Sequence, residues 1–422
     1  MEEEYRRVTF KYGVLMLRTK KGLSLLDRLG TFRVTKPLAW IMLFIMPVAA
    51  GAALFLILGT LSIFFSPQGA RFIEYVRTLT PLANVVFPGV NPYIPIVYGW
   101  FALIFAVFVH EASHGIVARS LGFPVKSAGL LLFLMIPIGA FVEVDDKQLK
   151  GARGRDSGRV LAAGSGINFI IAVISLLLLV ATVGTMAPQA QGAGIVSVVQ
   201  NTPDVHSAAN LAGVMPGDFI TAINNKPVAN LITLHDNSTF RPGQVINLTI
   251  WREGNTLRLD NLTLGKIVVL DTRTNKTSTF AFLGVEQTSQ DQLNEMLANY
   301  RGSILRNPLV YVCIPTLPRC QQFVPFADQW VTFYKSPLGA ALSAVTSLLF
   351  WLWFINFNLA IFNSLPIYPM DGGQAFEAGV KSLGKGRITE DFARRITSWV
   401  TLVIVAMILV VVVGPYLSAF IF

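Results

Sequence analysis

The chain has 422 residues, of which 53% are hydrophobic and 14% are charged, and its formal net charge is +10. This composition is too apolar for an ordinary soluble globular domain and predicts a membrane protein. The positive charge would also suit nucleic-acid binding, but the basic residues cluster beside the ends of apolar segments, as the positive-inside rule expects. We therefore expect no nucleic-acid partner.

Five long apolar segments follow a basic N-terminal segment. Residues 1–37 are polar and basic, which predicts a cytosolic segment rather than a cleavable signal peptide. About 20 apolar residues are enough to span a bilayer. The candidate spans are the uncharged stretches 38–65, 93–109, 160–186, 336–370 and 396–422. A shorter apolar piece, 130–142, is broken by Pro137 and Gly139 and predicts a re-entrant or interfacial hairpin.

The second apolar stretch leads directly into the sequence His110-Glu111-Ala112-Ser113-His114, an H-E-x-x-H zinc signature. Residues i and i+4 share one face of a helix, so both imidazoles can reach one metal ion. Glu111 lies to the side, where it can contact a water beside the ion. Ionisable groups at bilayer depth are costly and indicate function. The pattern predicts metal-assisted hydrolysis inside a membrane.

Basic loops set the predicted orientation of the spans. Basic residues in 1–37, 147–159 and 371–395 place those segments in the cytosol, and 187–335 then lies outside. Four N-x-S/T sequons support this orientation because all of them fall in the exterior segment: Asn237, Asn247, Asn261 and Asn275.

The exterior segment changes character at about residue 188, where short alternating strands and turn residues replace long apolar runs. Ala212-Gly213-Val214-Met215-Pro216-Gly217-Asp218, followed by Asn224-Asn225-Lys226-Pro227-Val228, resembles the pattern of PDZ domains. The resemblance implies an α+β domain that binds a peptide or chain end by strand addition, with the strand near 192–195 as its open edge. A small β domain that only excludes bulky substrates is the alternative. Cys313 and Cys320 could form a disulfide or remain two free thiols.

The predicted fold is an α-helical polytopic membrane protein. It has about five transmembrane helices, a re-entrant β-hairpin and an inserted exterior α+β PDZ-like domain. The predicted parts are a basic cytosolic segment, a first membrane part, the PDZ-like domain, an exterior linker containing both cysteines, and a second membrane part: 1–37, 38–186, 187–288, 289–335 and 336–422.

A catalytic zinc ion usually has three protein ligands and one open position. His110 and His114 supply two ligands, and the remaining histidines, His206 and His235, lie in the exterior segment. The third ligand of a single zinc ion is therefore expected to be a carboxylate. Six carboxylates lie within or beside the membrane: Glu143, Asp145, Asp146, Asp156, Asp371 and Glu377.

Asp371 is the preferred third ligand because it closes the uncharged stretch 336–370 at its predicted cytosolic end. The histidines lie toward the cytosolic end of their own span, so the depths match. Prolines and glycines around Asp371 should unwind the helix, which is tolerated where a protein cavity accepts the freed backbone groups. The alternative is that Asp371-Gly372 is only a helix cap or turn.

Together these motifs resemble the site-2 protease family of intramembrane zinc metalloproteases. The resemblance rests on H-E-x-x-H at 110–114, on N-x-x-P-x-x-x-x-D-G at 363–372 and on the exterior PDZ-like insertion. The basic segment 17–22 is similar to prokaryotic, particularly archaeal, members. The resemblance implies cleavage of transmembrane helices of single-span proteins near the cytosolic face, as in regulated intramembrane proteolysis, in the cell membrane of a prokaryote. Another protease can cut such substrates first.

The resemblance also implies roles for residues outside the zinc signature. Gly164 to Asn168 matches the family's G-x-x-x-N element, which places Asn168 near the active site, where it would hold substrate or stabilise the reacting carbonyl. Packing between helices is the alternative for Asn168. Asn363 could stabilise the oxyanion or bind carbonyls of its own broken helix. The segment 139–143 resembles the family's re-entrant hairpin, in which an extended substrate would pair with Gly139, Ala140, Phe141 and Val142.

Two functions of other classes compete with proteolysis. A metal-dependent transporter would also contain intramembrane histidine and aspartate beside a broken helix. No internal repeat of helices is evident in the sequence, and ion transport does not require Glu111 between the two histidines. A non-catalytic membrane protein that only displays the PDZ-like domain is the other alternative.

Overall fold

A computed structural model describes residues 7–11, 13–133, 136–203, 205–229, 239–271, 276–384 and 387–417. The chain divides into two compact units, one formed by Met1–Leu177 with Leu348–Phe422 and the other by Leu178–Ser347. His235, Asn237 and Asn275 lie outside the described residues.

The first part of the chain alternates strands with helices. Its elements are β1 (Val8–Lys11), β2 (Val14–Thr19), α1 (Leu23–Gly30), α2 (Thr35–Phe64), α3 (Gly69–Thr78), α4 (Ile96–Ser120), β3 (Val125–Phe133), β4 (Ile136–Val144), α5 (Asp146–Gly151) and α6 (Gly154–Gly184). Helix α2 has no charged residue after Lys36, and α6 has none after Arg159. Helices that are apolar on every face are buried or span a membrane.

Strands β1 to β4 form one antiparallel sheet in sequence order. The segment predicted to form a hairpin is the antiparallel β3–β4 pair, and the N-terminal strand β2 extends it by pairing with β3. Arg18 on β2 donates to Thr9 Oγ1 at 2.7 Å and lies 3.9 Å from Glu143 Oε2, which also accepts a hydrogen bond from Ser127. The sequence did not predict that the basic N-terminal segment joins this sheet.

The second unit is built around an antiparallel sheet with the order β10-β9-β7-β6-β13, and β8 also pairs with β7. Alternate residues of β9, such as Ile246, Leu248 and Ile250, are buried in its core. The elements are β5 (Ala187–Pro188), β6 (Ala193–Val198), α7 (Ala208–Leu211), β7 (Phe219–Ile223), β8 (Lys226–Pro227), β9 (Val245–Arg252), β10 (Asn255–Thr263), β11 (Gly265–Asp271), β12 (Lys276–Phe282), β13 (Val285–Thr288), α8 (Gln290–Arg306), α9 (Pro318–Gln321), α10 (Asp328–Val331) and β14 (Tyr334–Lys335).

The predicted open edge near residues 192–195 is wrong. Gly194 in β6 pairs with Phe219 of β7 on one side and with Thr288 of β13 on the other, so β6 is an internal strand. The strands at the two ends of the described sheet are β10 and β13. Strand β13 follows β6 by some ninety residues in the chain, and such a pairing leaves no mark on the local sequence.

The segment after the sheet has its own packing. Cys313 and Cys320 form a disulfide. Helix α8 begins with a capping box between Ser289 and Gln292. Arg301 on α8 donates to the carbonyl oxygens of Val183, at 2.9 and 3.2 Å, and Met186, at 2.9 Å, which lie at and beyond the end of α6. The last carbonyls of a helix lack partners within the helix, so Arg301 caps α6.

The chain then returns to the first unit through three helices. These are α11 (Leu342–Ser364), α12 (Asp371–Leu383) and α13 (Glu390–Leu417). Among the described residues, five helices are long and apolar enough to cross a membrane, namely α2, α4, α6, α11 and α13, which confirms the predicted number of spans. Large apolar side chains such as Phe44, Phe55 and Trp399 are exposed on them, as expected of surfaces that face lipid rather than water.

Among the described residues, two apolar clusters join helices of the first unit. Met42 of α2, Val117 of α4 and Val160 of α6 belong to one cluster. The other contains Ile361 of α11 and Ile404 of α13. The first cluster places the histidine-bearing end of α4 beside the beginning of α6.

Candidate metal centre

His110 and His114 lie one turn apart on α4, and both are buried. The Nδ1 atom of His114 lies 2.7 Å from the carbonyl oxygen of Val160 on α6. A carbonyl can only accept a hydrogen bond, so Nδ1 must carry a proton and Nε2 is the ring nitrogen left to bind a metal ion. The backbone of α6 therefore orients the His114 ring with a free ligand atom on the other side.

Asp371 is the first residue of α12, directly after the loop that follows α11. Its Oδ2 atom lies 3.0 Å from His110 Nε2 and 3.2 Å from His114 Nε2. One ligand atom from each of the three residues lies within 4.8 Å of the others. The structure therefore brings together the three residues predicted from the sequence as zinc ligands.

The glycines after Asp371 allow the chain to fold back tightly. A Cβ atom on Gly372 would lie 2.2 Å from the Ser364 carbonyl oxygen, and one on Gly373 would lie 2.4 Å from the Ile367 carbonyl carbon. Only glycine fits where backbone approaches backbone this closely. The predicted helix break is present because α11 ends at Ser364 and α12 begins at Asp371.

The three side chains fit a zinc ion. Two imidazole nitrogens and one carboxylate form a donor set that catalytic zinc uses. The separations of 3.0 and 3.2 Å are close to about 3.3 Å, the edge of a tetrahedron around zinc with bonds of about 2.0 Å. Gly164 on α6 leaves room in front of the nitrogens, because a Cβ there would lie 2.4 Å from Nε2 of both His110 and His114. Sequence reasoning noted Gly164 only as part of a motif and missed this role.

Several of the other carboxylates have different partners. Glu143 accepts a hydrogen bond from Ser127, and Asp156 pairs with Arg159. Asp145 caps α5 and lies 3.1 Å from Lys126; the Gln148 amide and Lys126 hold the pKa of the Asp145 carboxyl below its usual range. The side chain of Asp146 lies outside the described part of the structure.

Glu111 points toward the β4 strand. Its Oε2 atom accepts a hydrogen bond of 3.1 Å from the backbone N–H of Val142. This contact fixes the carboxylate beside the two histidines of its own helix and at the side of the β-hairpin. No sequence pattern predicts a contact between a carboxylate on a helix and a backbone amide of a strand.

The two predicted asparagines lie on different helices. Asn168 is on α6, about one turn after Gly164, and is 0% exposed. Neither its Oδ1 nor its Nδ2 has a hydrogen-bond partner among the described residues. Asn363 is half-buried near the end of α11. Because buried amides are nearly always hydrogen-bonded, Asn168 is an amide available to a ligand.

Comparison with known proteins gives a family match. The model of peptidase family M50 matches residues 98–300 and 327–411, more than half of the chain. The matched segments contain the zinc signature, Asn168 and the Asn363–Asp371 element.

Individual related proteins share low sequence identity with this chain. An uncharacterized protein of Methanocaldococcus jannaschii is 29% identical over 63% of this chain and 67% of its own length. A candidate zinc metalloprotease of Nostoc sp. is 26% identical over 64% of this chain and 81% of its own. The regulator of sigma-E protease RseP of Escherichia coli is 24% identical over 51% of this chain and 50% of its own.

The family match confirms the resemblance seen in the sequence motifs, and with five apolar helices the protein is a multi-pass membrane protein that uses zinc. The chain belongs to peptidase family M50, the site-2 protease family, and is a zinc metalloprotease.

Proposed function

We propose that this enzyme cleaves the transmembrane helices of single-span membrane proteins near the cytosolic face. The main support is the cluster of His110, His114 and Asp371 beside Glu111. Both histidines and Glu111 lie on α4, which is apolar enough to cross a membrane, and Asp371 follows the loop after α11, another such helix. A site on such helices suits a substrate that also lies in the membrane. Substrates that another protease has cut first belong to the same class.

His110, His114 and Asp371 would hold the zinc ion. Zinc in such a site supplies a Lewis acid that polarises a carbonyl and makes water acidic enough to react near neutral pH. Glu111 accepts a proton from the attacking water and passes it to the leaving nitrogen. The Val142 amide keeps the Glu111 carboxylate in place, and the Val160 carbonyl keeps the His114 ring in place.

Asn168 and Asn363 would contact the substrate. An amide N–H can stabilise the charge that develops on the reacting carbonyl oxygen. The buried and unpartnered amide of Asn168 supports this role for that residue. For Asn363, the support is its position in the chain close to Asp371. It lies seven residues before Met370, the last residue of the loop that precedes Asp371.

Replacing Asp371 with asparagine is expected to lower the zinc content of the purified protein. A neutral amide is a poorer zinc ligand than a carboxylate. Metal analysis by mass spectrometry measures the effect, and Glu377→Gln on the same helix is the matched control. Normal zinc in Asp371→Asn with loss of zinc in Glu377→Gln would transfer the ligand role to Glu377.

The outer edge of β4 would pair with the substrate. Phe141 faces Gly129 of β3 in the register, while the neighbouring Val142 N–H points away from β3 to Glu111. Backbone groups alternate in direction along a strand, so those of Ala140 also point away from β3. No strand pairs with this side of β4 in the described part of the sheet. The resemblance of residues 139–143 to the family's re-entrant hairpin supports a position of this hairpin within the membrane.

Ala140→Pro tests strand pairing because proline has no backbone N–H. The substitution removes the N–H that points away from β3 at position 140, the next such group along β4 from that of Val142. We expect the cleavage rate of a single-span substrate to fall about tenfold, which corresponds to the loss of one to two hydrogen bonds. Ala140→Ser keeps the N–H and is the control. Equal rates in the proline and serine variants, at equal thermal stability, would remove Ala140 from substrate binding.

The exterior part would select substrates. The PDZ-like pattern supports binding of a peptide or chain end, and β13 replaces β6 as the strand that offers an edge. Exclusion of bulky substrates is the alternative role.

The proposed parts are a cytosolic segment 1–37, membrane parts 38–186 and 336–422, the PDZ-like domain 187–288 and the exterior linker 289–335, in the cell membrane of a prokaryote. The basic loops support this orientation.

The test of the proposed function is cleavage by the purified protein of a purified single-span substrate in detergent or vesicles. We expect cleavage that a zinc chelator abolishes and added zinc restores. Zinc movement across vesicles without any cleavage would favour a transporter. Neither activity, with zinc bound, would indicate a protein that only displays its exterior domain.

A further inference from the structure

A third asparagine, Asn356, lies on α11 about two turns before Asn363 and is 0% exposed. Its Nδ2 atom donates to the carbonyl oxygen of Leu352 at 2.8 Å. A carbonyl only accepts, so this contact fixes the orientation of the amide and leaves Oδ1 as the free end. Oδ1 has no partner among the described residues.

Other buried polar side chains of α11 are satisfied by their own helix. Thr346 donates to the carbonyl of Leu342, and Ser364 donates to that of Ala360. A hydroxyl needs only one such bond for its proton, whereas an amide has a second polar end. A buried acceptor without a donor costs free energy, so its retention on a membrane helix points to a ligand.

The contact between α6 and α11 shows where Asn356 points. The rings of Phe169 and Phe357 lie 6.4 Å apart. The hydroxyl groups of Thr185, directly after α6, and Ser336, shortly before α11, lie 3.0 Å apart. The end of α6 is therefore close to the beginning of α11, so the two helices run in opposite directions. For antiparallel right-handed helices, the residues just before the two contacting positions, Asn168 and Asn356, project to the same side of the pair.

Asn363 shares this side because it follows Asn356 by seven residues, two turns of the helix. Three asparagine side chains therefore line one side of the α6–α11 pair. Gly164, which faces the two histidines, lies five residues before Phe169. At about 1.5 Å per residue, Asn356 lies about 9 Å from Gly164 toward the exterior.

We propose that Asn356 positions the substrate by accepting a hydrogen bond from one of its backbone N–H groups. An extended chain advances about 3.3 Å per residue, so this N–H belongs to a residue about three positions to the exterior side of the scissile bond. A substrate helix that unwinds in the membrane frees N–H groups for which water offers no partner. The inference rests on the proposed cleavage of transmembrane helices.

A series of synthetic single-span substrates tests this pairing. In each, one backbone amide on the exterior side of the scissile bond is replaced by an ester, which removes a single N–H. With the wild-type enzyme, an ester about three residues from the cut is expected to lower kcat/KM about five- to tenfold, the effect of one hydrogen bond. Esters at neighbouring positions that point elsewhere should have smaller effects.

Asn356→Leu should lower kcat/KM of the all-amide substrate by a similar factor and should be insensitive to the ester at that position. Leucine is close to asparagine in size, and removing an unsatisfied polar group is neutral or stabilising for the fold. Thermal unfolding is therefore expected at the same or a higher temperature. Asn356→Thr can donate to Leu352 as Thr346 does to Leu342 and still accept, so it should recover part of the rate. Thr346→Val is the control for a satisfied polar residue on the same helix.

Three outcomes overturn the inference. One is that, with the wild-type enzyme, no single ester position lowers kcat/KM more than the other positions do. Another is an Asn356→Leu variant that remains sensitive to the same ester. The third is full activity of Asn356→Leu on all substrates. In each case zinc-dependent cleavage by the wild type would leave the proposed function standing. Absence of zinc-dependent cleavage of every single-span substrate would overturn the proposed function and this inference together.

Discussion

Glu111→Gln is expected to abolish peptide-bond cleavage while zinc remains bound. Glutamine has nearly the same shape, and its carbonyl oxygen can still accept the hydrogen bond that Val142 donates to Glu111 at 3.1 Å. It cannot accept a proton from water, and loss of a general base typically lowers a rate by about 10² to 10⁴. The ligand residues His110, His114 and Asp371 are unchanged, so metal binding should persist.

The measurement pairs a cleavage assay with metal analysis of the same preparation. Glu74→Gln, an exposed carboxylate on α3, is the control and should behave as wild type. A Glu111→Gln enzyme with full zinc and wild-type rate would remove Glu111 as the base. Loss of zinc in this variant would instead indicate that Glu111 supports the metal site itself.

Gly164→Ala is expected to prevent zinc binding although it adds a single methyl group. The added Cβ would lie 2.4 Å from Nε2 of both His110 and His114, which is where the ion must approach these atoms. Changes next to metal ligands commonly cost 10- to 100-fold in affinity, and we expect at least about 100-fold here. Activity should fall with the zinc content.

Two glycines of the same helix serve as controls for Gly164→Ala. A Cβ at Gly184 meets nothing within 4 Å, so Gly184→Ala should be neutral or slightly stabilising. A Cβ at Gly166 would lie 2.4 Å from Met42 Cβ, so Gly166→Ala should lower stability through packing with α2. Stoichiometric zinc and normal rates in Gly164→Ala would contradict the described geometry of the centre.

The zinc signature and the spans could be predicted because their signals are local. His110 and His114 are related by helical spacing alone, and apolar length identifies a span without knowledge of its neighbours. Asp371 lies more than 250 positions from the histidines. It was predicted only because the membrane limits both the depth and the number of carboxylates available.

The parts that could not be predicted are contacts made by backbone atoms and by residues distant in the chain. The Val160 carbonyl that binds His114, the Val142 amide that binds Glu111 and the open face of Gly164 involve no characteristic side chain. A backbone group can take such a role in any sequence, so only the packing of α4, α6 and β4 reveals it.

The same limit explains the error at the edge of the exterior sheet. Alternating apolar residues correctly indicated a strand at β6. They carry no information about how many neighbours that strand has, and β13 arrives only after the β11–β12 hairpin. The attachment of β1 and β2 to the β3–β4 hairpin was missed for the same reason, since four α-helices, α1 to α4, separate β2 from β3 in the chain.

Mapping the cut in a purified single-span substrate by mass spectrometry tests the proposed activity most directly. We predict a zinc-dependent cut within the apolar span, toward its cytosolic end, that is absent with Glu111→Gln. A cut that falls only in the water-exposed flanks of the substrate, or that persists in chelator and in Glu111→Gln, would contradict intramembrane cleavage by this centre.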